Sequence, residues 1–166
     1  MTMSEIHNPE EIFVRVLEKV GKHNLPLPKK PNFTDKEFEV PTDPDSITTV
    51  ELGQKMMQAS AFYSYAKRLL GVLEAELIPL EAEYKLRVIT RGNILRRDPT
   101  FKSRSAEIIE AEVLSNNEDL LPLYERKVEL LSIKSILESR ADIYDRVYVT
   151  LSRELSRRGI ESRVQG

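Results

Sequence analysis

The sequence has no cysteine, no tryptophan, only two histidines and only six glycines in 166 residues. Each scarcity removes a class of protein. Without cysteine there are no disulfides and no thiolate metal sites, which fits a reducing compartment. His7 and His23 fall outside the long helical segments and read as surface residues rather than ligands. Nothing resembling GxxxxGK[ST] or GxGxxG is present, so no phosphate-cradling loop supports nucleotide hydrolysis. Glu107, Glu110 and Glu112 come nearest to an acidic cluster, but on a helix their directions diverge, which favours a solvated face over a metal site. The expectation is a protein without catalytic residues, metal or cofactor, hence not an enzyme. No apolar run approaches bilayer thickness, and the start MTMSEIHNPEEIF lacks the basic, then apolar, order of a secretion signal. A soluble cytoplasmic protein is predicted, with no membrane partner. Aromatics at 7% and charged residues at 31% suit long solvent-rich helices better than a compact α/β enzyme.

Proline is the abundant breaker, and it is localised. Five of the nine prolines (Pro26, Pro28, Pro31, Pro41 and Pro44) lie between residues 25 and 44. Such chain is extended and stiff, and reads as an arm over 25–46, with Lys29 and Lys30 solvated. Before it, over 1–24, Asn8, Pro9, Glu10 and Glu11 have the order of a cap, a first-turn proline and acids at the positive end of a helix dipole. A short helix follows, striped by Phe13, Val16, Leu17 and Val20 and closed by Gly21. After the arm, Thr48 and Glu51 match a capping box.

From there an apolar line steps by fours and threes: Leu52, Met56, Ala59, Tyr63, Ala66, Leu70, Leu73, Leu77, Leu80, Tyr84. That 3.5-residue period predicts a long helix seeking helical partners, with a kink where Pro79 removes one hydrogen bond. The next step falls on Arg87, so the line ends there, and Gly92-Asn93 reads as the helix stop. Ser105 is a candidate cap for a short helix ending near Ser115, Asn116 and Asn117. A second long helix is predicted from Glu118 to Arg158, with Pro122 in its first turn and an apolar line of Leu130, Ile133, Leu137, Ala141, Tyr144, Tyr148, Leu151 and Leu155. Gly159 is its expected end, leaving a basic tail over 159–166. The fold expected is all-α, with the two long helices packed as a helical hairpin over 47–158. Phe62, Leu69, Ile136, Ile143 and Val147 are left for neighbouring copies in an oligomeric assembly. Candidate oligomer-seam residues are Leu52, Met56, Tyr63, Leu70, Leu73, Leu77, Leu137, Tyr144, Tyr148 and Leu151.

Between the long helices lies KLRVITRGNILRRDPTFKSR, in which Lys85, Arg87, Arg91, Arg96, Arg97, Lys102 and Arg104 face one anion, Asp98. A chain of formal net charge -2 is thus strongly positive in one place. Dipole stabilisation at a helix end accounts for Lys85, Arg87 and Arg91, but not for the four cations that carry the same sign onward. These seven are the candidate nucleic-acid-binding residues. Phe101, among them, either stacks on an unpaired base or packs under the helix ends. The seam tyrosines Tyr63, Tyr84, Tyr144 and Tyr148 read as core residues with hydroxyls at its edge.

FYSYAKRLLGVLEAELIPLEAEYKLRVITRG at 62–92 and EAEVLSNNEDLLPLYERKVELLSIKSILESRADIYDRVYVTLSREL at 110–155 resemble the UvsY-type recombination mediators of tailed phages, over roughly 50–158. The likeness lies in Tyr63-Ser64, in Lys85, Arg87, Arg91 and Gly92, and in Val113-Leu114-Ser115. It implies a small helical homo-oligomer, in the host cytoplasm if phage-encoded. It would bind single-stranded DNA and help load a RecA-like recombinase in place of single-strand-binding protein. The N-terminal helix and arm have no counterpart in that pattern, and the Arg96–Arg104 loop is an elaboration of it. The alternative is a non-enzymatic phage structural, scaffolding or host-takeover adaptor whose basic loop meets an acidic protein.

Overall fold

The computed structural model describes residues 9–23, 27–32, 43 and 46–164; the proposed cap Asn8, His7 and most of the arm lie outside them. Among the described residues the protein is all-helical and has no strand. The elements are α1 (Pro9–Gly21), α2 (Thr49–Leu95), α3 (Ala106–Ser115), a 3-10 turn (Glu118–Leu120) and α4 (Leu121–Val164).

Each start has a local cause. Pro9 occupies the first position of α1 with Glu10 and Glu11 beside it. At α2 the capping box closes in both directions: Thr48 N donates to Glu51 Oε2 at 2.7 Å, and Glu51 N donates to Thr48 Oγ1 at 3.2 Å. Ser105 Oγ accepts from Ile108 N at the head of α3. The 3-10 turn precedes α4, so the second long helix begins at Leu121 rather than Glu118.

Three further expected boundaries differ. The helix does not stop at Gly92-Asn93; α2 runs on to Leu95. Gly92 is buried because α3 lies on it: a Cβ there would meet Ile109 Cγ2 at 2.8 Å. The apolar line likewise continues past Tyr84, with Val88 and Leu95 packed on the cluster of Ile109, Val113 and Leu120. Gly159 does not end α4, which reaches Val164. Its backbone stays helical, and the Arg157–Glu161 ion pair at 2.6 Å spans it. Pro79 sits inside a continuous α2 with its ring buried.

The chain forms two compact units: α1 with residues 72–134, and 26–71 with 135–166. In the first, Lys134 Nζ pairs with Glu74 Oε1 at 2.9 Å, the Tyr84 and Tyr124 rings lie 6.0 Å apart, and Arg91 reaches Asp119. Rising numbers on α2 meet falling numbers on α4, so the two segments run antiparallel there. The second unit follows the same order, with Phe62 stacked on Tyr144 at 5.2 Å and Arg158 Nη1 donating to Ile47 O at 2.8 Å. Its core is Ala66, Leu70 and Ala141, with Tyr63, Leu137 and Tyr144 packed around them. Also in this unit, Arg68 Nη1 donates to Pro28 O at 2.8 Å, fastening that point of the arm to α2.

Most of the seam residues are buried or half-buried within the single chain. Leu52, Ala59, Ala66, Leu70, Leu73, Leu77, Leu80 and Tyr84 are buried, as are Leu130, Ala141 and Leu151. Met56, Leu137, Tyr144 and Leu155 are half-buried, whereas Ile133 and Tyr148, on the α4 line, are about as exposed as surface residues. Ile136 and Ile143 are exposed; Phe62, Leu69 and Val147 are half-buried. Of α1, no residue is buried, and Val16, Leu17 and Val20 keep their apolar face open.

Candidate nucleic-acid interface

The basic segment begins on the last turns of α2, where Arg87 and Arg91 stand one turn apart on the same face. Both point at one carboxylate. Arg91 makes a two-pronged contact with Asp119, Nη1 to Oδ1 at 2.8 Å and Nη2 to Oδ2 at 2.6 Å. Arg87 Nη1 lies 3.7 Å from Asp119 Oδ2, and its Nη2 pairs with Glu83 Oε1. The Arg91 hydrogen bonds hold the Asp119 carboxyl below its ordinary range and push the guanidinium up. Glu83 is buried, and its Oε2 has no hydrogen-bond partner among the described residues. These two arginines bind the end of α2 to the turn before α4. Charge alone grouped them with the loop; their partners make them braces.

Beyond Leu95 the chain folds into a tight succession of turns. Arg97 N donates to Ile94 O at 3.1 Å, Asp98 N to Leu95 O at 3.0 Å, and Phe101 N to Asp98 O at 3.1 Å. Asp98, the segment's only acid, accepts from Thr100 N at 2.8 Å and from Thr100 Oγ1 at 2.7 Å. Those bonds lower its pKa, so its charge is turned onto its own loop. Arg96 Nη1 donates to Lys102 O at 3.3 Å, which closes the turn from its other side. Phe101 is half-buried against Ile109, Val113 and Leu120. Its ring anchors the loop, the packing alternative of the two that the sequence held open.

The seven candidate cations thus divide. Arg87 and Arg91 are paired with acids, while Lys85, Arg96, Arg97, Lys102 and Arg104 form no ion pair among the described residues. Of these five, all but Arg96 are exposed, and Arg96 is half-buried. Four of the five ride on a loop held by an apolar ring and by its own hydrogen bonds. Such an arrangement holds positive charge in a defined place without neutralising it, the electrostatic requirement for a polyanion contact.

The neighbouring side chains make further contacts. Tyr84 donates to Glu110 Oε1 at 2.6 Å, and burial, then that carboxylate, push its hydroxyl pKa well up. Lys127 Nζ lies 4.3 Å from the Tyr84 ring centre. Glu112 accepts from Asn116 Nδ2 at 2.8 Å, so Glu110 and Glu112 have separate partners. A shallow cleft lined by Arg91, Ile94, Leu95, Glu112, Val113, Asn116 and Asn117 opens beside α3. Among the described residues no group of three or more His, Asp or Glu is placed to hold a metal ion, and no helix is long and apolar enough to cross a membrane. His23 is exposed. Sequence reading missed Asp119 as the partner of Arg91 and Ile109 as the partner of Gly92, since neither pair leaves a local pattern. No protein-family model, curated protein or solved structure matches this chain.

Proposed function

We propose that the protein binds single-stranded DNA through the Arg96–Arg104 loop and acts, without catalysis, as a recombination mediator. The observation that carries the binding is the loop itself, on which Arg96, Arg97, Lys102 and Arg104 lack acidic partners among the described residues. Its one acid is turned onto Thr100. The likeness of 62–92 and 110–155 to UvsY-type mediators supplies the rest of the reading: displacement of single-strand-binding protein and loading of a RecA-like recombinase. In this reading the two long helices form one hairpin, several copies associate, and repetition of the loop multiplies its charge. The loop holds backbone phosphates rather than bases, because Phe101 faces the core.

A second reading draws on α1, whose apolar face is unburied. It makes the protein an adaptor whose α1 lies in a partner's groove and whose loop meets an acidic protein. Anisotropy of a fluorescent oligo-dT over a salt series, beside a duplex of equal length, separates the two. Tighter single-strand binding that falls steeply with salt is expected; a protein indifferent to both DNAs at low salt overturns the mediator and leaves the adaptor.

A further inference from the structure

Along α2 a second line, apolar except for Lys85, runs beside the buried one. Ala75, Ile78, Ala82, Lys85 and Ile89 step by three, four, three and four, the same 3.5-residue period, and all lie within the unit that contains 72–134. None is buried. Ile78 is 67% exposed and Ile89 49% exposed, and Val72 and Leu86 flank the line as further exposed apolar residues. An exposed line of this period suits another helix of like period.

We propose that this line is a two-fold interface with a second copy of the chain, in which the two α2 helices pack antiparallel about an axis near residue 80. The residue sizes set the register. With residue numbers of facing positions summing to 160, each Ile78 meets Ala82 of the other copy, and each Ala75 meets the stem of Lys85. Large side chains then enter gaps left by small ones, the condition for close helix packing. Along one flank Val72 comes beside Leu86 of the second copy, apolar against apolar. The Lys85 amine enters a gap bordered by Glu74 of the second copy. Glu74 already pairs with Lys134 at 2.9 Å, so this carboxylate joins a cation on each side. On the other flank the two Glu81 residues approach the axis, each with Lys85 one turn along its own helix to offset their repulsion. A parallel pairing lacks this fit, because it sets Ile78 against Ile78 and Lys85 against Lys85.

The pairing does not depend on what the basic loop binds, but it has a consequence for it. Arg96 lies sixteen residues from the axis, so two loops fall about 48 Å apart at 1.5 Å per residue. One polyanion of sufficient length can then engage both.

Light scattering of the full chain without DNA gives the mass, and Ile78→Glu is expected to halve it while leaving helix content unchanged. Because the chain has no cysteine, crosslinking reports geometry. Chains carrying Ile78→Cys, mixed with chains carrying Ala82→Cys, should join as oxidised dimers within disulfide reach. Ile89→Cys should not join to itself, since the two copies of residue 89 lie about 27 Å apart along the axis. A wild-type monomer at tens of micromolar, an undiminished mass for Ile78→Glu, or a self-joined Ile89→Cys overturns the pairing. The second of these gives the line to another occupant, α1 or an unrelated protein. The half-mass variant should still bind oligo-dT, more weakly, so DNA binding by the wild type tests the function independently of the pairing.

Discussion

Gly92 and Gly159 both stand inside helices, and their surroundings give them opposite predicted responses to a methyl group. At Gly92 an added Cβ meets Ile109 Cγ2 at 2.8 Å, and that methyl, bonded directly to Cβ of a buried side chain, moves away only if the packed side chain turns about χ1 or the backbone shifts. Overpacking of this kind costs about 1–3 kcal/mol, against a helix-propensity gain of about 1 kcal/mol. Gly92→Ala should therefore lower the urea midpoint, and adding Ile109→Leu, which lacks the β-methyl, should restore part of it in a double-mutant cycle. At Gly159 nothing lies within 4 Å. Gly159→Ala should raise stability by about 0.5–1 kcal/mol, in the same titration, by restricting the unfolded chain. A midpoint that rose at Gly92 would mean that α3 does not lie on α2 as described.

The starts of α1, α2 and α3 were legible because their signals are local, whereas α4 begins only after the 3-10 turn, at Leu121. Thr48 and Glu51 are three residues apart and satisfy each other, as Ser105 satisfies Ile108 N. Of the ends, those at Gly21 and Ser115 fell where expected, but Gly92 and Gly159 did not stop their helices: a glycine's meaning depends on what approaches it, and Ile109 is far from Gly92 in sequence. The buried line of α2 was readable from period alone, but period gave no sign that Arg87 and Arg91 meet Asp119, which belongs to another element. These distinctions predict element-level behaviour. Thr48→Ala removes the cap and should cost about 1 kcal/mol, read as a lower melting temperature. At the far end of α4, Glu154 accepts from Arg157 and Arg158, and those bonds lower its pKa to about 2 from 4.5. A carboxylate depressed in the folded state stabilises above its unfolded value and loses that contribution as pH falls to the folded one. Helix content near the C-terminus should thus decline between about pH 4.5 and 2, with amide exchange rising there, and Glu154→Gln should flatten that part of the curve.

For the molecule as a whole, a formal net charge of -2 means that polyanion binding must be local, since the average surface repels it. The division of the cations into braces and loop charges makes this testable in two measurements at once. Arg91→Ala removes both contacts to Asp119 and should lower the melting temperature. Because Arg91 is already neutralised, the slope of log affinity for oligo-dT against log salt should hardly change. Arg97→Glu with Arg104→Glu touches no ion pair among the described residues, so melting should stay put. The slope, which carries about 0.7 per phosphate neutralised on a single strand, should become shallower by about 1.4 if each arginine holds one phosphate. If instead Arg91→Ala flattens the slope while the loop variant leaves it intact, the interface lies along α2 rather than on the loop. The braced turn from Arg96 to Arg104 would then serve only to join α2 to α3.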